Sequence, residues 1–182
     1  MATMLGFLTT DAEVEPELLQ RALKDVADNT FNAITVDGET STNDMVVLLA
    51  SGRAGLRIAD TEYTTFVEAL HTVCQELALA VVRGGEGATK LISISVVGAN
   101  TTAEAKQAAR AIANSPLVKT AIHGGDPNWG RLVAVAGRAG VGFSQTHARV
   151  RIGGVELFGN DQVFVDQEPA AAEHLNGPNI VI

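Results

Sequence analysis

The chain has 182 residues, 46% of them hydrophobic and 19% charged, and carries a net charge of −8. That length suits one domain able to bury roughly 70% of its unfolded surface, while thirteen Lys and Arg without a basic run leave nothing to grip a nucleic-acid backbone. Unbroken apolar runs such as Met45 to Ala50 are too short for a bilayer, no positive segment precedes an apolar one at the N-terminus, and Cys74 is the single cysteine, so a reduced, cytoplasmic chain without a membrane partner is expected.

No internal repeat or low-complexity linker divides the chain, and residues 1–182 are expected as one domain. Met4 to Thr9 reads as a strand. Glu15-Pro16 opens a helix, with Pro at its first position and Leu18, Leu19, Ala22, Leu23, Val26 and Ala27 recurring at helical spacing. Phe31 to Val36 and Met45 to Ser51 are aliphatic runs bounded by turn residues, and both read as strands. The clearest helix spans about 61–83, where Tyr63, Phe66, Val67, Leu70, Val73, Cys74, Leu77 and Val81 form a stripe stopped by Gly84-Gly85. Leu91 to Val97 predicts a strand, and Thr101 or Thr102 caps an Ala-rich helix running to about Asn114.

Ser115-Pro116 predicts a further capped helix toward Ile122, and Asp126-Pro127 another through Arg138. Beyond Gly142 the pattern turns to short β runs: Ala148 to Ile152, Val155 to Phe158 and Val163 to Val165. A helix over Pro169 to Leu175 and a strand opening at Asn179 close the chain, and an ending inside an apolar β run is expected to mark a truncation. Long helices among many strands imply an α/β layered fold.

Four segments could carry chemistry. Thr3 has a hydroxyl that is a poor nucleophile alone, but as a new N-terminus its own α-amine, with a pKa of about 8, would serve as base. On its own the segment reads equally as a threonine in an edge strand. Arg83 to Lys90 sets Glu86 among glycines that let a ligand approach the backbone, or forms a solvated turn. It is no phosphate loop: Thr89 stands where that motif needs Gly, and helix precedes strand. Gly124 to Arg131 feeds two glycines into a capped helix, where Asp126, Asn128 and Arg131 make either an anion site or an internal network of cap and ion pair. Ser41-Thr42-Asn43-Asp44 reads first as a turn and, as the alternative, as a polar site. His71, His123, His147 and His174 lie apart without partners at ligand spacing, so no metal is expected.

Together these segments resemble the ornithine acetyltransferase family, the glutamate N-acetyltransferases of arginine biosynthesis, in its C-terminal β subunit. The resemblance rests on Met1-Ala2-Thr3-Met4-Leu5, Phe7 to Ala12, Asp37-Gly38, Ser41 to Asp44, Gly85 to Lys90, Ser115 to Ala121 and Gly125 to Arg131, in family order over nearly the whole chain. It implies a precursor that cuts itself between Ala2 and Thr3, with Thr3 as nucleophile. Acetyl would pass from N2-acetylornithine to Thr3 and on to glutamate without a cofactor, acetyl-CoA being a donor for some members. Glu86 matches a substrate-binding acid. The implied fold is a layered α/β sandwich of mixed sheets flanked by helices, of the N-terminal-nucleophile-like kind, and the implied partner is an α subunit from the same precursor in an α2β2 assembly.

Two departures accompany the resemblance. The chain starts at Met1, without the α segment that supplies oxyanion-hole donors, whose loss costs roughly 10²–10³ in rate each. It also stops at Ile182, where the family continues through a tail that contacts substrate. The isolated chain is therefore expected to be a poor enzyme. Two other readings stay open, an aminopeptidase-like amide hydrolase of the same nucleophile class and an inactive fragment or scaffold.

Overall fold

A computed structural model describes residues 3–182, and the chain packs as two compact units, Met1–Gly85 and Glu86–Ile182. The first unit holds strands β1 (Leu5–Thr10) and β2 (Glu13–Val14), helix α1 (Pro16–Ala27), strands β3 (Met45–Ala50) and β4 (Arg57–Ile58), and helix α2 (Tyr63–Arg83). β1 pairs in parallel with β3, from Leu5 opposite Met45 to Thr10 opposite Ala50, and β2 pairs in parallel with β4. Parallel neighbours need a crossover, and α1 lies in the connection between β1 and β3.

Strand alternation then sorts the side chains. Leu8 and Leu48, opposite each other in register, turn to the helices and are buried with Ala22, Val26, Phe31, Leu70, Cys74 and Ala78. Leu5, Phe7, Met45 and Leu49 occupy the alternate positions and are exposed, Phe7 by 64%. By length and composition α2 would pass for a bilayer-crossing helix, with a mean hydropathy of 1.3. No unbroken apolar run marks it, because α2 reaches that value across Glu68, His71 and Glu76, and it gives Leu70, Cys74 and Ala78 to a protein core.

In the second unit β5 (Leu91–Ser93) is followed by α3 (Thr102–Ala113), α4 (Pro116–His123) and α5 (Trp129–Gly137). An antiparallel meander of β6 (Arg149–Ile152), β7 (Val155–Gly159) and β8 (Gln162–Val163) precedes α6 (Glu168–Leu175) and β9 (Asn179–Val181), which pairs in parallel with β5. The first meander turn is Gly153-Gly154 and the second Asn160-Asp161, all four residues at positive φ, as hairpin turns that match strand twist require. Ile112, Val118, Leu132, Ile152, Leu157, Phe158, Leu175 and Ile180 centre the core, and Trp129 stacks on Phe158 with centroids 4.6 Å apart. The architecture is α/β, as the patterning and the resemblance implied.

Several element expectations are corrected. Phe31 to Val36 is no strand: Phe31–Ala33 is a 3₁₀ turn, because the chain leaves α1 tightly, with Thr30 Oγ1 donating to the Val26 carbonyl at 2.9 Å. The Val163 to Val165 run breaks after Val163 into a 3₁₀ turn, and the strand expected to Val97 ends at Ser93. Thr101 caps α3, accepting from Glu104 N–H at 3.1 Å. The hydroxyl of Ser115 caps nothing; it is buried and has no hydrogen-bond partner among the described residues.

Candidate active site

Thr3 precedes β1 in the first unit, exposed, and its Oγ1 lies 2.9 Å from Ser41 Oγ. The lead-in to β3 therefore comes to Thr3, because parallel strands start at the same end of their sheet. One carboxylate organises the meeting. Asp44 Oδ1 accepts from Met4 N–H and Oδ2 from Ser41 N–H, both at 2.9 Å, while Ser41 Oγ accepts from Asn43 N–H at 3.2 Å. The Met4 N–H bond first, and the Ser41 N–H bond second, hold the Asp44 carboxyl below its ordinary range, so it stays an acceptor at neutral pH. Asp44 N–H donates back to the Ser41 carbonyl at 3.3 Å, so the segment is a turn, as its composition predicts. The turn also forms the immediate surroundings of the Thr3 hydroxyl through Ser41 Oγ. Ala2, the other residue of the expected cleavage site, lies outside the described residues.

Glu86 opens the second unit in an exposed turn, followed by Gly87 at φ +71°. Its carboxylate is exposed and has no hydrogen-bond or ion-pair partner among the described residues. The far end of that turn is anchored by a residue sequence reasoning assigned no role. Lys90 Nζ donates to the Ile122 carbonyl at 2.7 Å and the Leu175 carbonyl at 2.6 Å, with His123 O at 3.4 Å. An ammonium thus meets the carbonyl ends of α4 and α6, where helix dipoles favour a cation.

Asp126, Asn128 and Arg131 come together at the junction of α4 and α5. Gly125, at φ +71°, ends α4 in a left-handed cap, with Asp126 N–H bonded to the Ala121 carbonyl at 2.9 Å. The cap of α5 is Asn128 rather than Asp126, its Oδ1 accepting from Arg131 N–H at 3.1 Å, and its amide donates to Asp126 Oδ2 at 3.1 Å. Arg131 Nη1 donates to the Leu117 carbonyl at 2.7 Å and to Thr120 Oγ1 at 3.3 Å, so its partners are neutral oxygens of α4, not a carboxylate. A groove of about 910 Å³ elsewhere in this unit is lined by Ile94, Val96, Leu132, Phe143 and Ile182 among others, and none of the candidate residues reaches it.

The ArgJ family model matches residues 1–182. The arginine biosynthesis bifunctional protein ArgJ of Bacillus cereus is 46% identical over 185 residues, covering 100% of this chain and 45% of that protein. Its namesake in Dehalococcoides mccartyi is 58% identical over 146 residues, 79% of this chain and 36% of that one. The chain thus spans less than half the length of these curated relatives. The crystal structure of an arginine biosynthesis bifunctional protein from Bacillus halodurans superposes with a TM-score of 0.92 at 41% identity, covering 98% of this chain and 87% of that chain.

Proposed function

The chain belongs to the ArgJ family, and from that premise we propose that it is the nucleophile-bearing part of an acetyltransferase of arginine biosynthesis. The observation that carries this reading is Thr3: an exposed hydroxyl at the lip of a parallel strand, its backbone pinned through Met4 N–H to Asp44. In the proposed maturation, the Thr3 hydroxyl attacks the Ala2 carbonyl carbon. The peptide C–N bond breaks, the nitrogen takes the hydroxyl proton, and water hydrolyses the resulting ester. The freed amine, with a pKa of about 8, then serves as base.

In the exchange itself Thr3 Oγ attacks the acetyl carbonyl of N2-acetylornithine, and the amine of Thr3 passes the proton to the leaving ornithine nitrogen. The α-amine of glutamate next attacks the acetyl-Thr3 ester, giving N-acetylglutamate and returning the proton to Thr3 Oγ. One amide is exchanged for another through an ester, so no cofactor is required; acetyl-CoA is the alternative donor. Glu86 supplies a carboxylate for a substrate ammonium.

The rest of the precursor, an α segment, completes the site by supplying the oxyanion donors in an α2β2 assembly located in the cytoplasm. The greater length of the relatives and the exposed Leu5, Phe7 and Leu49 support a seat for that segment on this chain.

Incubating the chain and its α segment with N2-acetylornithine and glutamate should release ornithine and N-acetylglutamate, and Thr3→Ala should reduce turnover by about 10³-fold or more. Ornithine appearing without N-acetylglutamate would convert the reading to an amide hydrolase. No turnover, with intact mass showing a free Thr3 amine and no acetyl adduct, would leave only a scaffold.

A further inference from the structure

Accepting Thr3 as the nucleophile, we infer that Ser41 is a catalytic partner of its hydroxyl and that Asp44 is the residue that positions both. Among the described residues, Ser41 Oγ is the group hydrogen-bonded to Thr3 Oγ1, at 2.9 Å. Neither hydroxyl floats. Asn43 N–H occupies one lone pair of Ser41 Oγ at 3.2 Å, which leaves either the Ser41 proton or its other lone pair for Thr3.

The bond between two hydroxyls can run either way at rest, but the reaction selects one direction. Once the Thr3 proton moves to its α-amine, Thr3 Oγ can only accept, and Ser41 O–H can only donate to it. The bond then meets an oxygen with alkoxide character, stronger than the bond between neutral hydroxyls. At the acetyl stage Thr3 Oγ is an ester oxygen and a poor acceptor. Charge returns to it when the tetrahedral adduct with the acceptor amine collapses, and Ser41 donates again. An interaction that strengthens only as charge develops raises kcat and leaves substrate binding alone.

Asp44 makes the arrangement reproducible. Its two oxygens each take a backbone N–H, one from the residue after Thr3 and one from Ser41 itself, both at 2.9 Å. The spacing between the two hydroxyls is therefore set by a single charged group rather than by two independent loops. The next link is Met45 N–H to the Met4 carbonyl at 3.0 Å, the first ladder bond between the strands.

The test uses the chain with its α segment and measures acetylation of Thr3 by p-nitrophenyl acetate, located by peptide mapping and intact mass, alongside exchange from N2-acetylornithine. Ser41→Ala should slow both reactions about tenfold, the worth of one hydrogen bond of about 1.4 kcal/mol. KM for N2-acetylornithine should not change, and Ser41→Thr should restore the rate. Asp44→Asn should fall in the same direction, since its amide nitrogen cannot accept from an N–H. Thr3 acetylated by the ester at the wild-type rate in Ser41→Ala, with no label in Thr3→Ala, would overturn the role of Ser41 and leave the acetyltransferase reading intact. Ser41-dependent labelling by the ester without exchange from N2-acetylornithine would do the reverse, supporting Ser41 and removing the substrate.

Discussion

The two units bury apolar surface in different ways. In Glu86–Ile182 the core is enclosed by α3 to α6 and by strands from both small sheets, and its exposed large apolar side chains, such as Val97, Leu117 and Val165, are scattered over separate elements. In Met1–Gly85 one face of the β1–β3 pair packs on α1 and α2, and the alternate positions Leu5, Phe7, Met45 and Leu49 are exposed together. Parallel strands are ordinarily covered on both faces, and clustered exposed apolar surface marks an interaction site where scattered residues do not. The first unit, which holds Thr3, thus presents its uncovered apolar side chains on one sheet face, whereas the second opens apolar surface in the groove lined by Ile94, Val96 and Phe143.

The comparison breaks most easily in the second core. Leu157 is fully buried between the meander and its helices, so Leu157→Ala should cost about 2–5 kcal/mol in denaturant unfolding of the chain; a loss under about 1 kcal/mol would mean that this core is not tightly closed. Lys90→Met keeps the aliphatic stem but strips the cation from the ends of α4 and α6, and should cost about 1–3 kcal/mol by the same measurement. The smallest stability effect is expected at Phe7→Ser, within about 0.5 kcal/mol for the isolated chain. The same substitution should weaken association with the α segment about tenfold in a fluorescence titration. Unchanged association would show that the exposed face of β1 and β3 is not where that segment sits.

The long periodic elements were legible because their period reports burial directly: α1, α2 and α3 follow their apolar stripes to within two residues. The short ones were not. β2 and β4 are two residues each, too brief for any alternation to register, and Phe31 with Ile34 carries apolar residues three apart, a spacing that a 3₁₀ turn uses as readily as a strand blurs it. At the candidate site, Thr3 and Glu86 stand out in the sequence and take their expected roles from the resemblance, while Ser41 lies in a segment whose composition reads first as a turn. What composition could not supply was that Ser41 faces Thr3, 38 residues away, because strand pairing made them neighbours. Lys90 is the extreme case, since its contact with Leu175 spans 85 residues and no local pattern announces it.

The parallel pairing of β1 with β3 would also govern what happens to the strand end if the chain were cut upstream of Thr3. Met4 is tied to the other strand on both sides of its own backbone, by its N–H to Asp44 and by its carbonyl to Met45 N–H. Severing the polymer just upstream of Thr3 would therefore not loosen the newly made end. The fragment would keep its first residue moored, because the tethers run sideways to a neighbouring strand and none of them passes through the broken link.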